Sequence, residues 1–466
     1  MKLRYSLVLF SLCFLSLLSF SQTNEKWSLE KCIDYALKNN LQVKRAQLTS
    51  QVSEKDNLQS WLNLLPSINA GATYSNNFGN GFNPQTYSFA QGNSQSFQPS
   101  LSASIPLFTG LQQVHNIERA KYDLLAAHFD YENAKNNISL SVASAYLQIL
   151  LNKEIEKIAE KQHALTADQK EMVKSRVKAG ALPESSMYDI ESQLGRDDVG
   201  VINAKSAVDL SVLALRQLLQ LHSESGFDID MPAVNADNMA DIGSLSSQSI
   251  FDFALKSQPS IKSAEARLKS ANAMRKASIG TLSPTISAFG SLSSGYFSQD
   301  RTLVRTIYDT VAGIPIPVSA EYEKTPVKNQ FQNNFRKAVG LSLDFPIFSR
   351  GQRILNIQKA KLQQQITQLN LEGSKNQLQQ DIEQAFANAR VAAESYLANK
   401  KSVEASQRAY DAAENRYRAG ASNNFDLQQA KNNLVAAESE IVKAKYTYIF
   451  RLKILDFYQD KPITLN

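Results

Sequence analysis

Side chains able to do chemistry are few in this 466-residue chain, and their spacing does not favour catalysis. The four histidines, His115, His128, His163 and His222, read as lacking a metal-type partner three or four residues away. All fall on predicted helices, where a solvated position is the ordinary role. Cys32 has only Lys31 beside it as a basic neighbour and reads as a packed thiol rather than an activated nucleophile. The run Gly290-Ser291-Leu292-Ser293-Ser294-Gly295 ends a predicted strand and is no nucleophile elbow. A glycine-rich phosphate loop carrying lysine does not occur. No catalytic, cofactor-binding or metal-ligating residue is therefore assigned, and any energy for work must come from a partner.

Charge excludes a second class. Lys plus Arg number 50 and Asp plus Glu 44, a formal +6. Two of those positives, Lys2 and Arg4, precede the apolar run Tyr5 to Phe20. The basic start, the core Leu7–Leu18 and the small-x-small triplet Ser19-Phe20-Ser21 read as a secretory signal peptide, residues 1–21. Cys13 follows Leu12, without the small residue that a lipoprotein signal needs. The remaining chain carries +4, spread along its length, which does not suggest nucleic acid. It keeps one cysteine, Cys32, so an internal disulfide is impossible.

The elements come in duplicate. Ala36-Leu37-Lys38-Asn39-Asn40 recurs as Ala254-Leu255-Lys256-Ser257-Gln258, and Pro66-Ser67-Ile68 as Pro284-Thr285-Ile286, at an offset of 218. Ile105-Pro106-Leu107-Phe108 recurs as Phe345-Pro346-Ile347-Phe348 at an offset of 240. So does Arg176-Val177-Lys178-Ala179-Gly180-Ala181, as Arg416-Tyr417-Arg418-Ala419-Gly420-Ala421. The repeats are assigned as 22–245, with strands about 66–78 and 97–108 and a helical hairpin about 111–222, and 246–466, with strands about 284–297 and 335–348 and a hairpin about 351–459.

Leu111 to Ala179 contains no Pro or Gly, and Gln352–Ala419 contains only Gly373. Rich in good helix formers, each predicts a helix on the order of 100 Å long. Ala-Gly-Ala at 179–181 and 419–421 then turns the chain into a returning helix of about forty residues. Leu210, Leu213, Leu218 and Leu221, with Leu427, Leu434, Ile441 and Tyr448, predict a coiled-coil seam.

The four predicted strands alternate with period two. Ile68, Ala70, Ala72 and Tyr74 oppose Ser67, Asn69, Gly71 and Thr73; Val339, Leu341 and Leu343 oppose Ala338, Gly340 and Ser342. In the third strand Phe289 breaks the alternation. Polar faces that are small and uncharged favour a membrane β-barrel over a soluble sheet, whose wet face would carry Lys, Glu and Arg. Four strands cannot close a barrel, and an open edge in lipid is forbidden. Copies of the chain must complete it; two, three or four would give eight, twelve or sixteen strands. The stretches Ser75–Ser96 and Ser293–Asn334 predict long extracellular loops.

At this point the chain resembles the TolC-like outer membrane efflux proteins. The resemblance rests on Trp27-Ser28-Leu29-Glu30 through Asn40, the Pro-Leu-Phe and Pro-Ile-Phe strand ends with Gly110 and Gly351, the duplication and the two glycine turns. It implies a mainly α fold with a β-barrel portion completed by trimerisation, no cofactor, and a position in the outer membrane reaching into the periplasm. It also implies a passive export duct served by a periplasmic adaptor and a proton-driven or ABC inner-membrane pump. A gate is implied near Gly180 and Gly420, at the periplasmic tip. The position six after the turn glycine is often acidic in the family. Here it is Asp426 in the second repeat and Ser186 in the first; three further on stand Gln429 and Asp189. Tyr417 matches an aromatic of the family's gate. The plainer reading of Asp426 is a helix N-cap. The rival for the whole chain is a secreted or periplasmic coiled-coil adaptor or scaffold. Cargo, whether drugs, metals or polypeptides, is not written in these residues.

Overall fold

The computed structural model describes residues 26–83, 88–91, 93–221, 227–232, 242, 246–311 and 313–464. The predicted signal peptide and His222 lie outside the described residues. The chain divides into two compact units, one of Met1–Ser50, Ala126–Glu265 and Asn370–Asn466, the other of Gln51–Leu125 and Ala266–Leu369. Each unit contains segments from both halves of the duplication.

Helices dominate. The first half supplies α1 (Leu29–Asn39), α2 (Leu41–Leu62), α3 (Gln112–Lys178) and α4 (Ser185–Leu219). The second supplies α5 (Ser247–Ser257), α6 (Pro259–Gly280), the short α7 (Val327–Asn333), α8 (Gln352–Arg418) and α9 (Asn424–Tyr458). Helices α3 and α8 are both 67 residues long, and α4 and α9 both 35. Two consecutive positive-φ residues launch each long helix: Gly110 and Leu111 before α3, Arg350 and Gly351 before α8. The two glycines thus occupy different places in the two pairs.

In the first unit, Leu29, Cys32, Ala36, Ile138, Val142, Tyr146, Ile149, Leu215, Leu219 and Ile449 form one core. Burial pushes the Cys32 thiol up to about 12, which keeps it protonated and inert. The chain before α1 is pinned there by backbone bonds from Trp27 N to Asp228 O (3.0 Å) and Asp230 N to Trp27 O (2.9 Å). The buried Tyr146 hydroxyl reaches Asp230 O at 2.7 Å and Trp27 O at 3.2 Å. The leucine seam needs correction: Leu210 and Leu213 are exposed, and α4 instead buries Val208, Ser211, Leu215 and Leu219. The packed face runs through Val208, Ser211, Leu215 and Leu219, one residue out of step with Leu210 and Leu218.

The second unit holds an antiparallel sheet in the order β1 (Ser67–Asn77), β4 (Ser94–Phe108), β5 (Thr285–Ser293), β9 (Arg336–Asp344). Its register sorts the two faces. Ala70, Leu101, Leu292 and Ile68, Ala103, Gly290, Val339 fall on one face; Gly71, Ser100, Ser293 and Asn69, Ser102, Ser291, Ala338 fall on the other. Phe289 does sit on the polar face, opposite Gly340, where a Cβ would meet its ring at 2.8 Å. The glycine makes room for the ring.

Three strand expectations change. Strand β9 stops at Asp344, so Phe345 and Ile347 lie beyond it. Pro346 has no N–H for a ladder, whereas Pro106 is accommodated at a register shift in β4. Tyr296–Phe297 forms a separate short strand, β6, paired with β4. The predicted loops contain hairpins: β2 (Asn80–Asn83) with β3 (Ser88–Gln91), and β7 (Arg301–Val311) with β8 (Ile314–Lys324). In the latter, β-branched Thr302, Val304, Thr306, Ile307, Ile314, Ile316 and Val318 outweigh the charges and prolines that suggested a loop. Pro315 and Pro317 are tolerated because the two-stranded ribbon leaves each strand an edge.

Candidate functional site

Both glycine turns have the same backbone. Ala181 N bonds to Arg176 O (2.9 Å) and Gly180 N to Val177 O (2.9 Å); Ala421 N bonds to Arg416 O (2.8 Å) and Gly420 N to Tyr417 O (3.1 Å). This is the Schellman arrangement, which satisfies the last carbonyls of a helix and needs a left-handed residue. Gly180 and Gly420 supply it, with φ of +72° and +73°. A Cβ would have open space at either position, so conformation rather than room demands glycine.

The turns line one concavity of about 500 Å³, bordered by Val173, Arg176, Ser186, Tyr417, Gly420 and Asn423. Tyr417 is buried, packed with Tyr410, Ala413, Leu427 and Leu434. The Arg176 guanidinium lies 5.0 Å from its ring centre, a cation–π contact joining the first hairpin to the second. Of the residues singled out from the sequence, the structure therefore gathers Ser186, Tyr417 and Gly420 about this concavity. Asp189, Asp426 and Gln429 are exposed and do not line it.

Asp426 is not the N-cap. Asn423 is: its side chain accepts from Asp426 N at 2.9 Å. Asp426 stands in the first turn, where a carboxylate favours the positive helix end, and accepts from Ser422 Oγ at 3.0 Å. Gln429 Nε2 donates to Asn433 Oδ1 at 3.1 Å. In the first hairpin Glu184 caps α4 without a side-chain bond, so the two tips differ.

Sequence reasoning missed a polar cluster within the apolar stripe of α9. Lys431, 1 % exposed, stands between the buried Leu427 and Leu434. Its Nζ donates to Thr166 Oγ1 at 2.7 Å, and lies 3.4 Å from Gln169 Oε1 and 3.5 Å from Gln162 O, all on α3. Thr166 in turn donates to Asp197 of α4, which also accepts from Gln193 Nε2 at 2.8 Å. Burial drives the Lys431 ammonium down to about 8, against the opposing pull of Asp197. The signal was available: a lysine four after Leu427 and three before Leu434 falls on the buried stripe.

The histidine reading also changes. Glu118 does stand three residues after His115, and its Oε2 lies 3.1 Å from His115 Nδ1; His163 Nε2 lies 2.9 Å from Asp198 Oδ1. Each is a pair, and no group of three metal-type side chains occurs among the described residues.

The chain belongs to the outer membrane efflux protein family, whose sequence pattern matches residues 32–220 and 251–455. That family is one of outer membrane efflux proteins, which places the protein in the outer membrane. A curated relative is the outer membrane efflux protein BepC of Brucella suis, 22% identical over 343 residues, which are 74% of this chain and 67% of BepC. Among solved structures, CusC aligns with a TM-score of 0.77 at 18% identity over 93% of this chain and 92% of its own. The Neisseria gonorrhoeae MtrE outer membrane channel, solved in an open state, gives 0.70 at 23% identity over 92% and 88%.

Proposed function

We propose that the protein is the passive outer membrane duct of a tripartite efflux or secretion system, built from three copies. One observation carries the proposal: among the described residues the sheet ends at β1 and β9, whose outer edges have no partner strand, while exposing an apolar face. Val339, Leu341 and Leu343 are 90%, 71% and 69% exposed in the single chain. Lipid covers such a face, but lipid cannot pair backbone groups, each of which costs several kcal/mol unsatisfied. Three copies would supply twelve strands, within the size range of membrane barrels. The likeness in fold to CusC and MtrE supports this reading. A periplasmic adaptor and an inner-membrane pump would provide energy and cargo selection. The test is direct: the purified protein should run as a heat-modifiable trimer and open pores in planar bilayers. A water-soluble monomer without pores would refute it.

The tip is proposed as the gate. Three copies would bring three Asp426 carboxylates into a ring, which would attract cations. Asp426→Ala should weaken cation preference or divalent block by several-fold in single-channel recordings. Unaltered selectivity and block would remove Asp426 from the gate, leaving it a first-turn carboxylate.

A further inference from the structure

The duplication extends to the register of the sheet. Strand β1 pairs with β4 with Ser67 opposite Ser104, and β5 pairs with β9 with Thr285 opposite Asp344. The offsets of 218 and 240 carry one pair onto the other without a residue's slip. The chain also contains the joint between the halves, β4 with β5, where Ser100 faces Ser293, Ser102 faces Ser291 and Ser104 faces Phe289. The matching joint, β9 with β1, is not made within the chain, because these are the two edges.

We propose that β9 of one copy pairs with β1 of the next in the register of the β4–β5 joint, a deduction that rests on the shared-barrel reading above. The offsets then place Gly340 opposite Ser75, Leu341 opposite Tyr74, Ser342 opposite Thr73, Leu343 opposite Ala72 and Asp344 opposite Gly71. Each pair keeps apolar against apolar and polar against polar. A slip of one residue would set Leu343 against Thr73 and invert both faces.

The helices continue the same seam. Within the chain, Ser270 of α6 donates to Asp123 of α3 at 2.5 Å. The corresponding residues are Val52 on α2 and Gln363 on α8. Ser270 and Ala126 are 7% and 4% exposed, whereas their counterparts Val52 and Ile366 are 60% and 50% exposed. Larger apolar side chains stand uncovered where the internal joint buries small ones, and the next copy is the surface that covers them.

The equivalence ends at one place. Gly110 and Gly280 approach so closely that a Cβ on either would meet the other's carbonyl oxygen at 2.3–2.4 Å. Their counterparts are Arg350 and Leu62, which carry side chains. The seam between copies is therefore held further apart at the strand–helix boundary than the joint inside the chain.

Cross-linking tests the register in the full-length protein, in a Cys32→Ala background. Ser342→Cys with Thr73→Cys, and Leu341→Cys with Tyr74→Cys, are adjacent pairs, so one is a non-hydrogen-bonded pair with the shorter Cα separation of about 4.5 Å. At least one should yield, on mild oxidation, a covalent ladder ending at the trimer on non-reducing gels. Ser342→Cys with Gly71→Cys, two residues out of register on the same face, should yield about tenfold less, because its Cα atoms lie beyond disulfide reach. Equal or stronger linking of the shifted pair overturns the register while leaving the barrel reading intact. A protein that forms neither ladder nor native trimer overturns that reading, and the seam with it.

Discussion

Gly280→Val is expected to abolish assembly of the protein in the outer membrane, while Gly195→Ala and Gly200→Ala are expected to stabilise it. Gly195 and Gly200 lie inside α4, where Gly is less favourable than Ala by about 1 kcal/mol, and Gly280 is the last residue of α6. Propensity alone therefore predicts a gain at the first two and little change at the third. Space decides otherwise at Gly280, where a Cβ would sit 2.4 Å from Gly110 O, 3.0 Å from Gln112 N and 3.2 Å from Gln112 Cα. All three are backbone atoms, which no rotamer change can move aside. The junction that turns β4 into α3 would have to be displaced, and overpacking typically costs about 1–3 kcal/mol and occasionally more, with no helix gain to offset it at this terminal position. At Gly195 and Gly200 nothing lies within 4 Å of the added carbon, so the propensity gain of about 0.5–1 kcal/mol stands. Outer membrane abundance and denaturant midpoints of the three variants check this. Wild-type abundance and midpoint for Gly280→Val would show that the close backbone approach does not exist.

Lys431→Met is expected to remove a pH dependence of stability and to leave the protein at least as stable at pH 7. The ammonium is buried with only hydroxyl and amide oxygens against it, and the nearest carboxylate, Asp197, reaches it through Thr166. Its value of about 8 in the folded protein lies below the ordinary 10.5. Between those values the unfolded chain binds more protons, so stability rises with pH from about 8 to 10.5 and is flat below. The full window is worth about 3 kcal/mol. Methionine fills similar volume without charge, and exchanging a buried ion for an apolar residue is commonly neutral or stabilising by about 1–4 kcal/mol. Tyr446 and Cys32 act with the opposite sign: burial pushes both up to about 12, so their contribution falls as pH rises past their ordinary values. The quantity to measure is therefore the difference between parent and variant in denaturant midpoint from pH 7 to 10. The parent should gain on the variant across that range; parallel curves would show that Lys431 is hydrated rather than buried.

What could be read from one dimension was whatever repeats along the chain. The alternation of Ile68, Ala70 and Ala72 with Asn69, Gly71 and Thr73 gave the strands and their faces, because side chains leave a strand on opposite sides whatever lies beside it. Long tracts without Pro, one with no Gly and the other with Gly373 alone, gave α3 and α8, and two Ala-Gly-Ala turns gave their ends, because helix and left-handed cap are local conformations. The duplication of these patterns told how many times the plan is used.

Only the tertiary structure decided which of those elements meet. Asn423 rather than Asp426 caps α9, a choice of hydrogen-bond partner three residues apart that the composition of the turn does not make. Leu210 is exposed and Ser211 buried, because helical phase is set by the neighbouring helix and not by hydrophobicity. The contact of Gly110 with Gly280, the burial of Lys431 against α3, and the pairing of β4 with β5 all join positions distant in sequence. Backbone periodicity is a property of each residue and its near neighbours, whereas burial and pairing are properties of what stands opposite, and that is settled only when the chain closes on itself.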